Sequence, residues 1–97
     1  MVDLNSVTKT LKEHKAELIK EYGLSEIGIF GSYAEGRQTE GSDLDILVDF
    51  GKTIDLFSFV NLKDYLSDLL STKVDLVMKK ALKPKIGERI LSRVIYI

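Results

Sequence analysis

The stretch from Asp43 to Phe50 constrains this chain more than any other. Leu44, Ile46, Val48 and Phe50 alternate with Asp43, Asp45, Leu47 and Asp49. That period of two predicts a β-strand with one apolar face and a second face that carries carboxylates. A strand of this kind needs neighbours, and the flanking sequence supplies them. Glu26 to Phe30 reads as a short buried strand, and Lys73 to Met78 as a third. Leu4, Val7, Leu11, Leu18 and Tyr22 recur at helical spacing and predict a helix over 4–22, stopped by Gly23. His14 falls on that stripe and reads as a partly buried packing residue. Leu56, Phe59, Leu62, Leu66, Leu69 and Leu70 mark a helix over about 55–70, with Thr53 or Asp55 as its cap. Pro84 suits the first turn of a short last helix ending near Leu91. Val94 to Ile97 is an apolar tail, either a terminal strand or a contact surface. The expected fold is α/β (α+β) in the order α-β-β-α-β-α, a small twisted mixed sheet backed by helices.

A length of 97 residues suits one domain spanning 1–97, with no room for a separate substrate-binding domain. The absence of cysteine removes disulfides, zinc–thiolate sites and thiol nucleophiles. With no signal peptide and no apolar run near membrane-spanning length, a cytoplasmic location without membrane contact is expected. The formal net charge of -1 speaks against direct nucleic-acid binding. It leaves room for a small nucleotide, whose charge local dipoles and metal ions can meet.

Asp43 and Asp45 share a strand face with Cα atoms about 6.5–7 Å apart, so both carboxylates can reach the same hard cations. Mg²⁺ takes oxygen ligands and completes its shell with water and substrate phosphates. A pair of such ions, roughly 3.5–4 Å apart, can clamp the attacking and leaving oxygens of an in-line displacement. An Asp-x-Asp pair by itself is also what a solvated strand face shows. Two neighbours add weight to the metal reading. Asp75 interrupts an apolar strand and can face the pair if the second and third strands are adjacent. There it could ligate metal and accept the proton of an attacking hydroxyl. Gly31-Ser32 lies where the first strand ends and a helical turn is expected, a place that favours phosphate. Glycine lets the backbone come close, and the serine hydroxyl can donate. Asp49 lies about 13 Å beyond Asp45 on an extended strand, too far to share an ion, and reads as a solvent-facing strand end. Neither a P-loop nor a dinucleotide fingerprint is present.

Gly31-Ser32-Tyr33-Ala34-x-Gly36, then Ser42-Asp43-Leu44-Asp45-Ile46-Leu47-Val48, then Val74-Asp75-Leu76-Val77, resemble the signature of the DNA polymerase β-type nucleotidyltransferase superfamily. The similarity is to its minimal branch, the MNT proteins, including MntA-like antitoxins, and it covers nearly the whole chain. The resemblance implies that Asp43, Asp45 and Asp75 are catalytic and hold Mg²⁺, two ions in all. It implies that Gly31 and Ser32 hold the triphosphate of ATP. The implied reaction moves AMP from ATP to a hydroxyl and releases pyrophosphate. Members of this branch are commonly paired with a HEPN-domain toxin, in some systems adenylylating a tyrosine of it. An antitoxin of a type VII-like toxin–antitoxin pair, working as a homo- or hetero-oligomer, is therefore expected. The family loop usually reads G-S-x-A-R-G. Here the arginine position is Glu35, and Arg37 is the basic residue left to reach back to the phosphates. The alternative is a non-catalytic antitoxin, a binding module that neutralises its partner by contact. Glu35 and the apolar tail motivate it. A third reading, transfer to a small molecule or an RNA end, is disfavoured by the missing second domain and the near-neutral charge.

Overall fold

The computed structural model describes residues 2–97. Helix α1 (Leu4–Tyr22) begins at Asp3, whose carboxylate accepts a 2.7 Å hydrogen bond from the Ser6 amide. It ends at Gly23, which is left-handed (φ 71°) and donates its N–H to the Ile19 carbonyl. Strand β1 (Leu24–Phe30) follows at once, two residues earlier than the sequence pattern suggests. The reason is an irregularity in the β1 register between Leu24 and Glu26, which breaks the alternation and buries both Leu24 and Ile27. Strand β2 (Leu44–Phe50), helix α2 (Leu56–Leu70), strand β3 (Val74–Met78), a 3-10 turn (Lys79–Ala81), helix α3 (Pro84–Leu91) and strand β4 (Ile95–Tyr96) complete the order. Asp55, rather than Thr53, caps α2 by accepting from the Ser58 amide and hydroxyl.

The four strands form one mixed sheet in the order β3-β2-β1-β4. β1 is antiparallel to β2 and to β4, whereas β2 and β3 are parallel. A parallel pair needs a long crossover, and α2 supplies it. The apolar sides of α1 (Val7, Leu11, Leu18) and α2 (Leu62, Leu66, Leu70) meet Leu44, Ile46, Val48 and Phe50 of β2 in the core. That leaves the other face of β2 to Asp45, Leu47 and Asp49. Asp49 does not point freely into solvent. Its side chain is only 17% exposed, its carboxylate accepts from the Phe50 amide, and Lys80 lies 3.8 Å away. The 3-10 turn after β3 brings that lysine to the sheet. His14 is half-buried and donates from Nδ1 to the Thr10 carbonyl, consistent with a packing role.

The apolar tail is a strand. Ile29 pairs with Ile95, and Gly28 with Tyr96. The Ile97 amide donates to the Ile27 carbonyl, and Lys15 Nζ reaches the Ile97 carbonyl at 2.7 Å. Gly28 makes this approach possible, because a β-carbon there would lie 3.1 Å from the Ile95 carbonyl oxygen and 3.3 Å from Val94 and Tyr96. Gly28→Val is expected to unpair β4 at a cost of about 1–3 kcal/mol. A lowered Tm together with faster amide exchange at Ile97 checks this. Unchanged exchange there would show that β4 adapts.

Candidate active site

Asp45 is the centre of the polar face. Across β1 it pairs with Phe30, and across β3 with Asp75. Parallel neighbours in register point their side chains to the same face, so Asp45 and Asp75 stand side by side. Asp43 lies one step before β2 and is half-exposed, with Lys73 Nζ 3.9 Å from its Oδ2. The structure thus sets Asp45 beside Asp75 at the start of the parallel pair, with Asp43 just ahead of the strand.

Their electrostatics reflect crowding. The Asp45 carboxyl is pushed up to about 6, first by burial and then by the negative charges of Asp75 and Asp43. A cation between them would remove that repulsion, and a donor set made only of carboxylate oxygens suits Mg²⁺. Among the described residues, no three acidic, histidine or cysteine side chains converge closely enough to enclose an ion by themselves. That is compatible with a site finished by water and substrate oxygens rather than a closed protein cage.

Beside Asp45, residues Gly31 to Gly36 form a single helical turn. The Glu35 amide donates to the Gly31 carbonyl and the Arg37 amide to the Ser32 carbonyl, with Gly36 left-handed at φ 71°. This six-to-one bond closes the turn as it would end a longer helix. Tyr33, only 2% exposed, anchors it in the core. Ser32 sits at the turn's open start, where the leading N–H groups have no backbone acceptor among the described residues. Gly31 has a role that the sequence pattern does not reveal. At φ 73°, a β-carbon there would overlap Oδ2 of Asp45 and lie 3.0 Å from its carboxyl carbon. Glycine at this point makes room for the aspartate.

Arg37 pairs with none of Asp43, Asp45 and Asp75. Its guanidinium bonds to Glu35 at 3.1 Å, and Arg93, beyond α3, bonds to the other Glu35 oxygen at 2.6 Å. These two hydrogen bonds, Arg93 first, hold the Glu35 carboxyl below its usual range. All three line a cavity of about 290 Å³ next to Gly31, together with Phe30 and Arg89. Arg89 and Arg93 escaped the sequence reading because 58 residues separate Arg93 from its partner Glu35. No local spacing signals such a pair.

Residues 11–97 match the family described as nucleotidyltransferase domain. The chain belongs to this nucleotidyltransferase family. A relative from Thermococcus cleftensis, named protein adenylyltransferase MntA, is 45% identical over 97 residues and covers 100% of this chain and 98% of its own. The solved structure of a candidate minimal nucleotidyltransferase superposes with a TM-score of 0.82 at 34% identity, covering 97% of this chain and 95% of that one. A crystal structure of a toxin–antitoxin with AMP-PNP superposes with a TM-score of 0.71 at 26% identity, covering 98% of this chain and 72% of that chain. The expected minimal nucleotidyltransferase fold is therefore the observed one, with β4 as an added edge strand. Among the described residues, no helix of this nucleotidyltransferase is long and apolar enough to cross a membrane.

Proposed function

We propose that this nucleotidyltransferase moves AMP from ATP to the tyrosine hydroxyl of a HEPN-domain toxin and acts as its antitoxin. The observation that carries this reading is the position of Asp45, between Asp75 on one side and the Gly31 turn on the other. Acceptor activation and phosphate binding then meet within one side chain's reach. The adenylyltransferase named among its relatives and the nucleotide analogue in the toxin–antitoxin neighbour support the same chemistry.

In this mechanism the Gly31–Ser32 amides and the Ser32 hydroxyl hold phosphate oxygens and fix the triphosphate in line. Asp43, Asp45 and Asp75 would hold Mg²⁺, which when bound stabilises the charge on the transferring phosphoryl group. The acceptor oxygen forms a bond to the α-phosphorus, and the bond from that phosphorus to the bridging oxygen breaks. Pyrophosphate leaves, and the hydroxyl proton passes to Asp75. Asp75 is exposed, so a protein-borne hydroxyl can approach it.

Incubation with radiolabelled ATP, Mg²⁺ and the HEPN partner tests the proposal. Label is expected on the partner, and Asp43→Ala is expected to reduce it by about 10³-fold or more. An unlabelled partner, or label that survives Asp43→Ala, rejects the mechanism. Neutralisation by contact has the exposed Leu56 and Phe57 at the start of α2 in its favour. It no longer has the apolar tail, which the sheet uses as β4. Should Asp43→Ala/Asp45→Ala still silence the toxin, contact is the function.

A further inference from the structure

The cavity beside Gly31 carries more positive charge than the loop sequence suggests. Arg37, Arg89 and Arg93 line it against a single carboxylate, Glu35. Glu35 is the shielded member of the cluster: its side chain is 25% exposed, whereas those of Arg37 and Arg93 are 65% and 68% exposed. The carboxylate bridges the two guanidiniums and gathers them from two distant parts of the chain. Each guanidinium has five N–H donors in a fixed fork. Glu35 takes Nη1 of Arg93 and Nη2 of Arg37, which leaves donors on both for another anion. The backbone is fixed as well. The Arg93 amide bonds to the Ile90 carbonyl at the end of α3, and pairing in β4 begins two residues later.

We propose that this cavity is the subsite for the terminal phosphates of the nucleotide. In it Arg93 and Arg37 bind the leaving pyrophosphate end, and Glu35 is the positioning residue that holds them there. The proposal rests on the adenylyl-transfer reading and names the residues that read the tail of its substrate. Gly31 is shared by the phosphate turn and the cavity wall, so a triphosphate seated at Gly31–Ser32 runs directly into the arginines. Guanidiniums bind phosphate in two-pronged fashion and favour the more highly charged end of the nucleotide. Glu35, which looks like the loss of a loop arginine, is on this account the means of importing Arg93.

Calorimetry with ATP, AMP and inorganic tripolyphosphate, each with Mg²⁺, tests this on the intact chain. Arg93→Gln is expected to weaken ATP and tripolyphosphate about tenfold and to leave AMP within about twofold. Glu35→Gln is the decisive variant. Removing a negative charge from an anion site should tighten binding if charge alone matters. The positioning role requires the opposite, a several-fold loss for ATP and tripolyphosphate, with partial recovery in Glu35→Asp. Tighter tripolyphosphate binding by Glu35→Gln overturns the proposal, as does an Arg93→Gln effect equal for ATP and AMP. If ATP binding falls in Asp43→Ala but ignores Arg93→Gln, the subsite is wrong and the nucleotide site stands. If the unaltered chain binds neither ATP nor AMP, both are wrong.

Discussion

Asp45→Asn is expected to abolish adenylyl transfer and, in the metal-free protein, to raise stability. The first effect follows from the central position of Asp45 among the proposed metal ligands, and a fall of about 10³-fold or more in label transfer is anticipated. The second follows from its charge. The folded protein holds the Asp45 carboxyl near 6, above the ordinary value of 3.8, through burial and then the Asp75 and Asp43 charges. A carboxylate raised in this way costs stability wherever it is ionised. The cost is complete above pH 6 and disappears as the pH falls towards 3.8, because the folded state binds the proton more tightly than the unfolded one. The shift sets a ceiling of about 3 kcal/mol. Water around this half-open group screens it to about 1 kcal/mol, or about 4–8 °C in Tm for a chain of this size. Melting curves in EDTA at pH 7.5 and pH 4 check the sign. The variant should melt higher at pH 7.5 and level with the parent at pH 4. A variant that melts lower at pH 7.5 would mean that Asp45 makes a favourable contact outweighing its repulsion.

Such a residue is legible in sequence because its surroundings are local. The alternation over Leu44 to Phe50 requires a strand, and a strand requires Asp43 and Asp45 to share a face. Gly23 and Pro84 mark helix ends through their own backbone preferences, without help from the rest of the fold. Legibility fails where the decisive partner is distant. Leu24 joins β1 only because the register slips against β2. Asp49 is covered by Lys80, a residue of the turn after β3 that no periodicity connects to it. Val94 to Ile97 reads equally as strand or contact surface until the bare backbone of Gly28 is opposite it. Glu35 is the clearest case. In the linear sequence it is a negative residue in a phosphate loop, and only the fold supplies Arg93. Local chemistry thus marks the carboxylates proposed to be catalytic, whereas the arginines that would discriminate among nucleotides depend on how α3 and β4 return to the first strand.

Gly31→Ala is expected to be nearly as damaging as losing an aspartate, although it removes no functional group. Two costs combine. The residue sits at φ 73°, where an L side chain adds about 1–2 kcal/mol of strain. The new methyl group would also overlap the Asp45 carboxylate, so either the turn or the aspartate must move. The turn is held by Tyr33 in the core and by the bond from the Arg37 amide to the Ser32 carbonyl, whereas the Asp45 side chain is only partly buried. The aspartate therefore gives way and swings from its place beside Asp75. A displacement of about 1 Å at a reacting centre costs about 10²-fold in rate. Label transfer should fall by at least that factor, with a Tm loss of about 5–10 °C. ATP affinity separates the two roles of this glycine. If Gly31 serves only the phosphate, Gly31→Ala weakens ATP binding and a second change, Asp45→Ala, adds its full further loss of metal-dependent affinity. If Gly31 makes room for Asp45, the two changes remove the same thing, and the double variant binds no worse than Gly31→Ala alone. We expect the second result, because the nearest atoms to the missing β-carbon belong to Asp45.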